Sequence, residues 1–118
     1  MRNIKYIAVH CTAGPQTQTI ADLQQEFRRK GWKNPGYHYV VKPDGATVQL
    51  LDEAKASNGV RGYNSVTLNV AYIGGVDPRG HAVDNRTPAQ KKALRTLLKI
   101  LHQRYPGAVI QGHRDFSP

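Results

Sequence analysis

The chain has 118 residues, of which 39% are hydrophobic and 21% charged, so it can form one domain with a single core and is too apolar to be disordered. Its net charge of +9 favours an anionic partner, such as nucleic acid or the acidic polymers of a bacterial cell wall. A single cysteine, Cys11, excludes an intramolecular disulfide and a zinc site built from several cysteines.

The sequence shows no segment for membrane insertion or export. No apolar run is long enough to cross a bilayer, and residues 1–5 lack the apolar core of a secretory signal peptide. We therefore expect a soluble protein that is made in the cytoplasm without a signal peptide. The lysines and arginines are scattered, and RNP-type aromatic motifs and zinc-finger spacings are absent, so a nucleic-acid-binding role would rest on charge alone.

The first predicted elements are a buried strand and a capped helix. Residues 4–11 are apolar at both odd and even positions, as in a central strand that is buried on both faces. Thr19 and Asp22 have the spacing of a capping box, and apolar side chains follow at helical spacing. Gly31 is placed to end this helix.

Three further strands are predicted in the middle of the chain. Residues 37–42 and 46–50 flank the turn sequence Pro-Asp-Gly at 43–45, which predicts a hairpin. Residues 52–65 are typical of a loop, and residues 68–73 form another apolar strand.

The second predicted helix has the clearest start signal. Thr87 caps it, Pro88 occupies its first position and Gln90 completes a second capping box. An apolar stripe then runs to Tyr105, and a short β-branched run leads toward His113. The order β-α-β-β-β-α-β predicts an α/β fold, in which a central mixed β-sheet of about five strands is flanked by helices in a single domain.

Two of the five histidines stand out because each lies at the end of a predicted core strand. His10 ends the first strand and His113 follows the last, and histidines at the ends of neighbouring strands can bind zinc through neutral imidazole nitrogens. The spacing alone is a weak signal, because two histidines in a small domain are more often unrelated. His38 lies within a strand, while His81 and His102 fall at positions expected to face solvent.

Six sequence blocks give the chain a resemblance to a known family. They occur in order as V-H-C-T-A at 9–13, K-G-W and G-Y-H-Y at 30–39, R-G-Y-N at 61–64, G-G-V-D at 74–77, T-P-A-Q at 87–90 and G-H-R-D at 112–115. Together they closely resemble the zinc-dependent N-acetylmuramoyl-L-alanine amidases of the phage-lysozyme and peptidoglycan-recognition-protein type. The resemblance runs from about residue 4 to the end of the chain.

That resemblance implies hydrolysis of the amide between the lactyl group of N-acetylmuramic acid and L-alanine of the peptidoglycan stem peptide. It implies that His10 and His113 are zinc ligands and that Tyr37, over the metal, stabilises the transition state. The residue types suit this chemistry, since zinc supplies hydroxide at neutral pH and a phenol can donate to the developing oxyanion. We expect Tyr37 and Tyr39 to share one face of their strand, with His38 on the other face in a structural role.

The sequence departs from that family in its supply of zinc ligands. Relatives provide a third ligand, Cys or Asp, after the second histidine, whereas only residues 114–118 follow His113 here. Asp115 could in principle coordinate, but two residues along a strand from His113 we expect its direction and reach to be poor and its role to be that of a structural acceptor. Cys11 should point away from His10 as a small apolar residue. We therefore expect the amidase domain over residues 1–118 to lack a C-terminal segment that carries the third ligand.

A second departure lies before the G-Y-N block, where relatives often carry a histidine and this chain has Asn58. Asn58 can hydrogen-bond a sugar or peptide amide, but it cannot act as an acid. Asn64 and Thr12 are further candidates for substrate contact, and loop capping is the alternative for each of them.

Two main hypotheses follow. The first is a zinc-dependent, bacteriolytic amidase of the endolysin type that acts on the cell wall as a monomer. The second is a module of the same fold that binds peptidoglycan without cutting it, which the loss of a zinc ligand would produce. Zinc is the expected cofactor and peptidoglycan the expected partner, while no nucleic-acid partner and no membrane insertion are expected.

Overall fold

The computed structural model describes residues 3–112, and its elements follow the predicted order. A short 3₁₀ turn at Asn64–Val66, which the sequence did not predict, precedes the fourth strand. The helices and strands are β1 (Tyr6–Cys11), α1 (Ile20–Arg29), β2 (Tyr39–Val41), β3 (Thr47–Gln49), β4 (Thr67–Tyr72), α2 (Pro88–Arg104) and β5 (Val109–Gly112).

The five strands form one mixed sheet in the order β3-β2-β4-β1-β5. β1 lies between β4 and β5 and is parallel to both, β2 is parallel to β4, and β3 is antiparallel to β2. The predicted α/β fold with a mixed five-stranded sheet and flanking helices is confirmed. Because four of the strands are parallel, their C-terminal ends lie at one edge of the sheet, where α/β proteins commonly place their binding sites.

Both helices begin with the capping boxes that the sequence predicts. The Thr19 side chain accepts from the Asp22 backbone and the Asp22 side chain accepts from the Thr19 backbone, and Thr87 and Gln90 repeat this exchange at the start of α2. Gly31 follows α1 with a φ of +74°, a conformation that glycine adopts without strain.

Within the described residues, no helix has the length and apolar character needed to cross a membrane.

The two faces of the sheet carry separate apolar cores. One face packs against α2 through residues such as Ile7, Leu68 and Leu97. The opposite face packs against α1 through a smaller cluster that consists of Leu23, Phe27, Val40 and Ile73. The centre of the sheet is therefore buried on both faces, as the apolar pattern of the first strand predicts.

The buried side chain of Gln90 ties the first turn of α2 to the sheet. Its Nε2 donates to the carbonyl oxygens of Val41 at 3.2 Å and Ile73 at 2.9 Å, and its Oε1 accepts from the Thr87 backbone N–H at 3.0 Å. Val41 ends β2 and Ile73 directly follows β4. One side chain thus fixes the helix to the edge of the sheet where the parallel strands end.

The strand predicted over residues 37–42 is shorter than expected, because the backbone bends before Tyr39. As a result Tyr39 packs against the core on the α2 side, whereas Tyr37 packs against the core on the α1 side. The expectation that Tyr37 and Tyr39 share one face is therefore wrong. Regular alternation applies only to extended backbone, and residues 36–38 are not part of the strand.

Candidate functional site

A cleft of about 290 Å³ lies where β1 ends beside α1 and the loops before β2 and the 3₁₀ turn. Polar and aromatic side chains converge in it, among them His10, Thr12, Trp32, Tyr37 and Asn58. A larger groove of about 500 Å³ lies between α2 and the β2–β3 hairpin, but no histidine, cysteine or tyrosine lines it. The smaller cleft is therefore the candidate site, because it alone of these two combines groups that can bind metal and donate protons.

His10 occupies the end of β1 and is nearly buried, with 6% of its surface exposed. Its Nε2 lies 2.8 Å from the side-chain oxygen of Asn69 on the neighbouring strand β4. Its ring centroid is 5.4 Å from that of Tyr37, at a tilt of 50°. The structure thus brings together two of the predicted site residues, which are 27 positions apart in the sequence.

Tyr37 enters the cleft from the bend before β2. Burial raises the pKa of its phenol well above the ordinary value of 10.0, and electrostatic interactions with Cys11 and Glu26 raise it further. The hydroxyl donates to the Cys11 carbonyl oxygen over a long 3.5 Å, and the ring packs edge-on against Phe27. At neutral pH Tyr37 is therefore a protonated hydrogen-bond donor in a largely apolar setting.

Thr12 and Asn58 also line the cleft, and both already make hydrogen bonds that order loops. The Thr12 hydroxyl accepts from the Gly74 backbone N–H at 3.1 Å and donates to the Gln18 side chain at 2.7 Å. The side-chain nitrogen of Asn58 donates to the Asn34 carbonyl oxygen at 2.8 Å. Their positions suit substrate contact, and that role stays a prediction.

Asn64 does not line the cleft. Its side-chain oxygen accepts from the Val60 backbone N–H at 2.8 Å, at the start of the 3₁₀ turn. The loop-capping alternative describes this contact, and the structure gives no support to the expectation that Asn64 meets the substrate.

His38 is fully buried outside the cleft and connects three segments of the chain. Its Nδ1 accepts from the Asn69 backbone N–H at 3.0 Å, and its Nε2 lies 2.7 Å from the Lys55 carbonyl oxygen. Because a backbone N–H can only donate and a carbonyl can only accept, the ring must be the neutral Nε2–H tautomer. The geometry is that of a structural histidine.

The sequence reasoning missed Asn69, whose side chain is fully buried between His10 and Ser57. A signal was present, because Asn69 is the one amide within the apolar stretch 68–73. A polar side chain at a position that the pattern assigns to the core needs a buried hydrogen-bonding partner.

The proposed second zinc ligand, His113, lies outside the described residues, as does Asp115. The described part of β5 pairs in parallel with β1 as far as Gly112 and Val9, the residues that precede His113 and His10 in the sequence. Among residues 3–112 no group of three side chains of the types His, Cys, Asp and Glu is arranged to hold a metal. Cys11 packs against the core on the α2 side, away from His10, as expected.

Comparison with known proteins gives consistent matches over almost the whole chain. The model of the N-acetylmuramoyl-L-alanine amidase family matches residues 1–117. The endolysin of Klebsiella phage KP32 is 38% identical over 114 residues, which cover 95% of this chain and 76% of that endolysin. Peptidoglycan recognition protein 1 of Bos taurus is 27% identical over 124 residues, which cover 95% of this chain and 63% of that protein.

The fold also matches solved structures. The Ph2119 endolysin, from the Thermus scotoductus MAT2119 bacteriophage Ph2119, superimposes with a TM-score of 0.85 at 32% sequence identity. The superposition covers 99% of this chain and 75% of that endolysin.

Proposed function

The chain belongs to the N-acetylmuramoyl-L-alanine amidase family, and from this premise we propose that it is a zinc-dependent hydrolase of the amide between N-acetylmuramic acid and L-alanine in peptidoglycan. The observation that carries the proposal is the pairing of His10 with Tyr37 in one cleft at the C-terminal edge of the parallel strands. An imidazole that can bind metal and a phenol that can donate a hydrogen bond are two of the groups that this reaction needs.

The donor chemistry of the cleft fits zinc in part. A buried imidazole is a common zinc ligand, and we propose that His10 holds the ion together with His113. When bound, zinc polarises the amide carbonyl and lowers the pKa of a water ligand to about 7, which supplies a nucleophile at neutral pH.

Tyr37 supplies the second part of the chemistry. As the amide carbonyl is attacked, negative charge develops on its oxygen, and a fixed donor in a low-dielectric site stabilises that charge. Burial keeps the Tyr37 phenol protonated at neutral pH, and its present contact with the Cys11 carbonyl is long enough to be exchanged for a closer acceptor. Packing against Phe27 holds the ring in place.

We propose that the protein acts on the bacterial cell wall, with Thr12 and Asn58 contacting the sugar or peptide amides of the substrate. Both side chains line the cleft beside the two reactive groups. The net charge of +9 favours approach to the anionic polymers of the wall.

The test is digestion of purified peptidoglycan, followed by analysis of the new chain ends. An amidase creates new L-alanine amino termini without new reducing sugar ends. We expect these termini to accumulate, to stop when divalent metal is chelated and to return when zinc is added. His10→Ala should abolish the reaction, and His102→Ala, on the exposed side of α2, should leave it intact. New reducing ends, or cleavage that persists in the chelator, would contradict the proposal.

The alternative function is recognition of peptidoglycan without cleavage. It is favoured by the likeness to peptidoglycan recognition protein 1, whose name describes recognition. In that case the protein would sediment with insoluble peptidoglycan and release no L-alanine termini at any zinc concentration. Binding that survives His10→Ala would point the same way.

A further inference from the structure

We propose that Asn69 is a positioning residue for His10: its side-chain oxygen holds the imidazole as the Nε2–H tautomer and thereby makes Nδ1 the nitrogen that binds metal. The inference rests on the proposed function, because it takes His10 to be a zinc ligand. It adds a residue outside the sequence blocks that carry the family resemblance.

The contact between the two side chains is short and buried. His10 Nε2 and Asn69 Oδ1 are 2.8 Å apart, and Asn69 is fully buried. The strand register places Asn69 opposite Ala8 on the adjacent strand, so that the side chains of Asn69 and His10 project from the same face of the sheet. A buried hydrogen bond is costly to lose, because its partners give up their contacts with water on folding.

A second hydrogen bond engages the other end of the Asn69 amide. The Asn69 side-chain nitrogen donates to the Ser57 hydroxyl oxygen at 2.6 Å, which leaves the oxygen directed at the ring. A carbonyl oxygen can only accept, so Nε2 must carry the hydrogen and the neutral ring has its lone pair on Nδ1. If the amide were reversed, with its nitrogen toward the ring, Nδ1 of His10 would carry the hydrogen. NMR of the His10 ring distinguishes the two arrangements.

Asn69 has little freedom to move away from this position. Its backbone N–H donates to His38 Nδ1 at 3.0 Å, and its backbone oxygen accepts from the His38 backbone N–H at 2.8 Å. On the side-chain side, a Cβ placed on Gly59 would lie only 2.3 Å from Asn69 Cγ. The absence of a side chain at Gly59 is therefore what makes room for the amide beside His10.

The expected effect on metal binding follows from this arrangement. A ligand histidine whose second nitrogen is held by an acceptor keeps its tautomer and its orientation, and loss of such a partner typically weakens metal binding by about 10- to 100-fold. Asn69→Leu keeps the approximate size of the side chain and removes the acceptor. Asn69→Asp keeps an acceptor that cannot be reversed.

The experiment combines nitrogen NMR of the metal-free protein with a zinc competition assay. The ¹⁵N shifts of His10 report directly which ring nitrogen carries the hydrogen, and they do so without any zinc. Thr67→Val is the matched control, since it removes a buried hydroxyl from the same strand whose contact is with the Tyr63 carbonyl and not with His10.

We expect His10 to be the Nε2–H tautomer in the unsubstituted protein, in Asn69→Asp and in Thr67→Val. Asn69→Leu should give a mixture of tautomers and bind zinc about 10- to 100-fold more weakly, while Asn69→Asp keeps its affinity. An Nδ1–H tautomer in the unsubstituted protein would overturn the inference, as would an unchanged tautomer and zinc affinity in Asn69→Leu. The Nε2–H tautomer in a protein that binds no zinc would instead overturn the proposed function and leave the hydrogen-bond assignment standing.

Discussion

Tyr37 and Tyr39 are two positions apart, and burial raises the pKa of both phenols, yet they belong to different kinds of site. Tyr39 donates to the Glu53 carboxylate, which also accepts from the Tyr105 hydroxyl at 2.8 Å and forms an ion pair with Arg104. Within residues 3–112, the Tyr37 hydroxyl donates only to the Cys11 carbonyl, at 3.5 Å, across a cleft that it shares with His10.

The hydrogen-bond partners of the two phenols distinguish their roles. The Glu53 carboxylate has three donors from two distant segments of the chain, so its bonding capacity is used in joining the end of α2 to the loop before the 3₁₀ turn. The hydrogen bond from the Tyr37 hydroxyl to the Cys11 carbonyl is, by contrast, a long one. The first arrangement stabilises the fold, and the second is the one we expect of a group that donates to a substrate.

Tyr37→Phe is the variant with the largest effect that distinguishes the two tyrosines. If the phenol donates to the oxyanion, its removal should lower turnover of peptidoglycan by about 100-fold, the cost typical of one lost oxyanion-hole donor. The free energy of unfolding should change little, since the lost bond is long. Turnover that stays within twofold of the unsubstituted protein would assign Tyr37 to the core alone.

Glu53→Gln tests the other side of the comparison. Partial burial opposes the charge of Glu53, but hydrogen bonds from Tyr39, Arg104 and Tyr105 outweigh it and hold the pKa of the carboxyl below its ordinary value of 4.5. The variant should lose about 2 kcal/mol of stability at neutral pH.

The pH dependence of that loss has a defined sign. A carboxyl whose pKa is lowered by folding stabilises the fold above its unfolded pKa, and this contribution disappears as the pH falls through the folded value. Denaturant unfolding at a series of pH values should therefore show the two proteins converging below pH 4.5. Turnover at neutral pH should be equal, and a loss of turnover without a loss of stability would contradict the structural assignment.

Gly59→Ala tests whether the position of Asn69 beside His10 matters for zinc binding. The added methyl would lie against the Asn69 side chain and should displace it from His10, so we expect zinc to bind about tenfold more weakly. Gly107→Ala is the matched control, because a Cβ there meets no atom within 4 Å in the part of the chain that the structure describes, apart from its own chain neighbours. Competition with a zinc-binding dye measures both variants, and equal affinities would show that Asn69 can move without cost.

The smallest expected effect is that of Tyr39→Phe. Glu53 would keep its bonds to Tyr105 and Arg104, so the loss should be about 1 kcal/mol of stability with no change in turnover. The variant is also the direct counterpart of Tyr37→Phe, since the same atom is removed two positions away. A marked loss of turnover with little loss of stability would place Tyr39 in the functional site and remove the distinction between the two tyrosines.

The parts of the fold that the sequence predicts well depend on local chemistry. The exchanges between Thr19 and Asp22 and between Thr87 and Gln90 need only a spacing of three residues, and both helices begin where this spacing indicates. The proximity of Tyr37 to His10 was reached through the family resemblance, because no local pattern connects residues on different elements.

The parts that were missed depend on irregular backbone or on strand pairing. The bend before Tyr39 breaks the alternation on which the assignment of faces relied. Asn69 meets His10 only because β4 pairs with β1, although the two residues are 59 positions apart. A buried amide in an apolar run indicates that some partner exists, and only the arrangement of strands identifies it.

The hydrogen bonds of Gln90 also bear on whether parts of this protein can unfold separately. Its side chain donates to the carbonyls of Val41 and Ile73, at the ends of β2 and β4, so separating the first turn of α2 from the sheet would break both bonds of this buried amide nitrogen. Fraying of the helix start is thus coupled to disruption of the strands that carry the cleft. The two form one cooperative unit, and the backbone amides of β4 should exchange with deuterium only through the global unfolding of the protein.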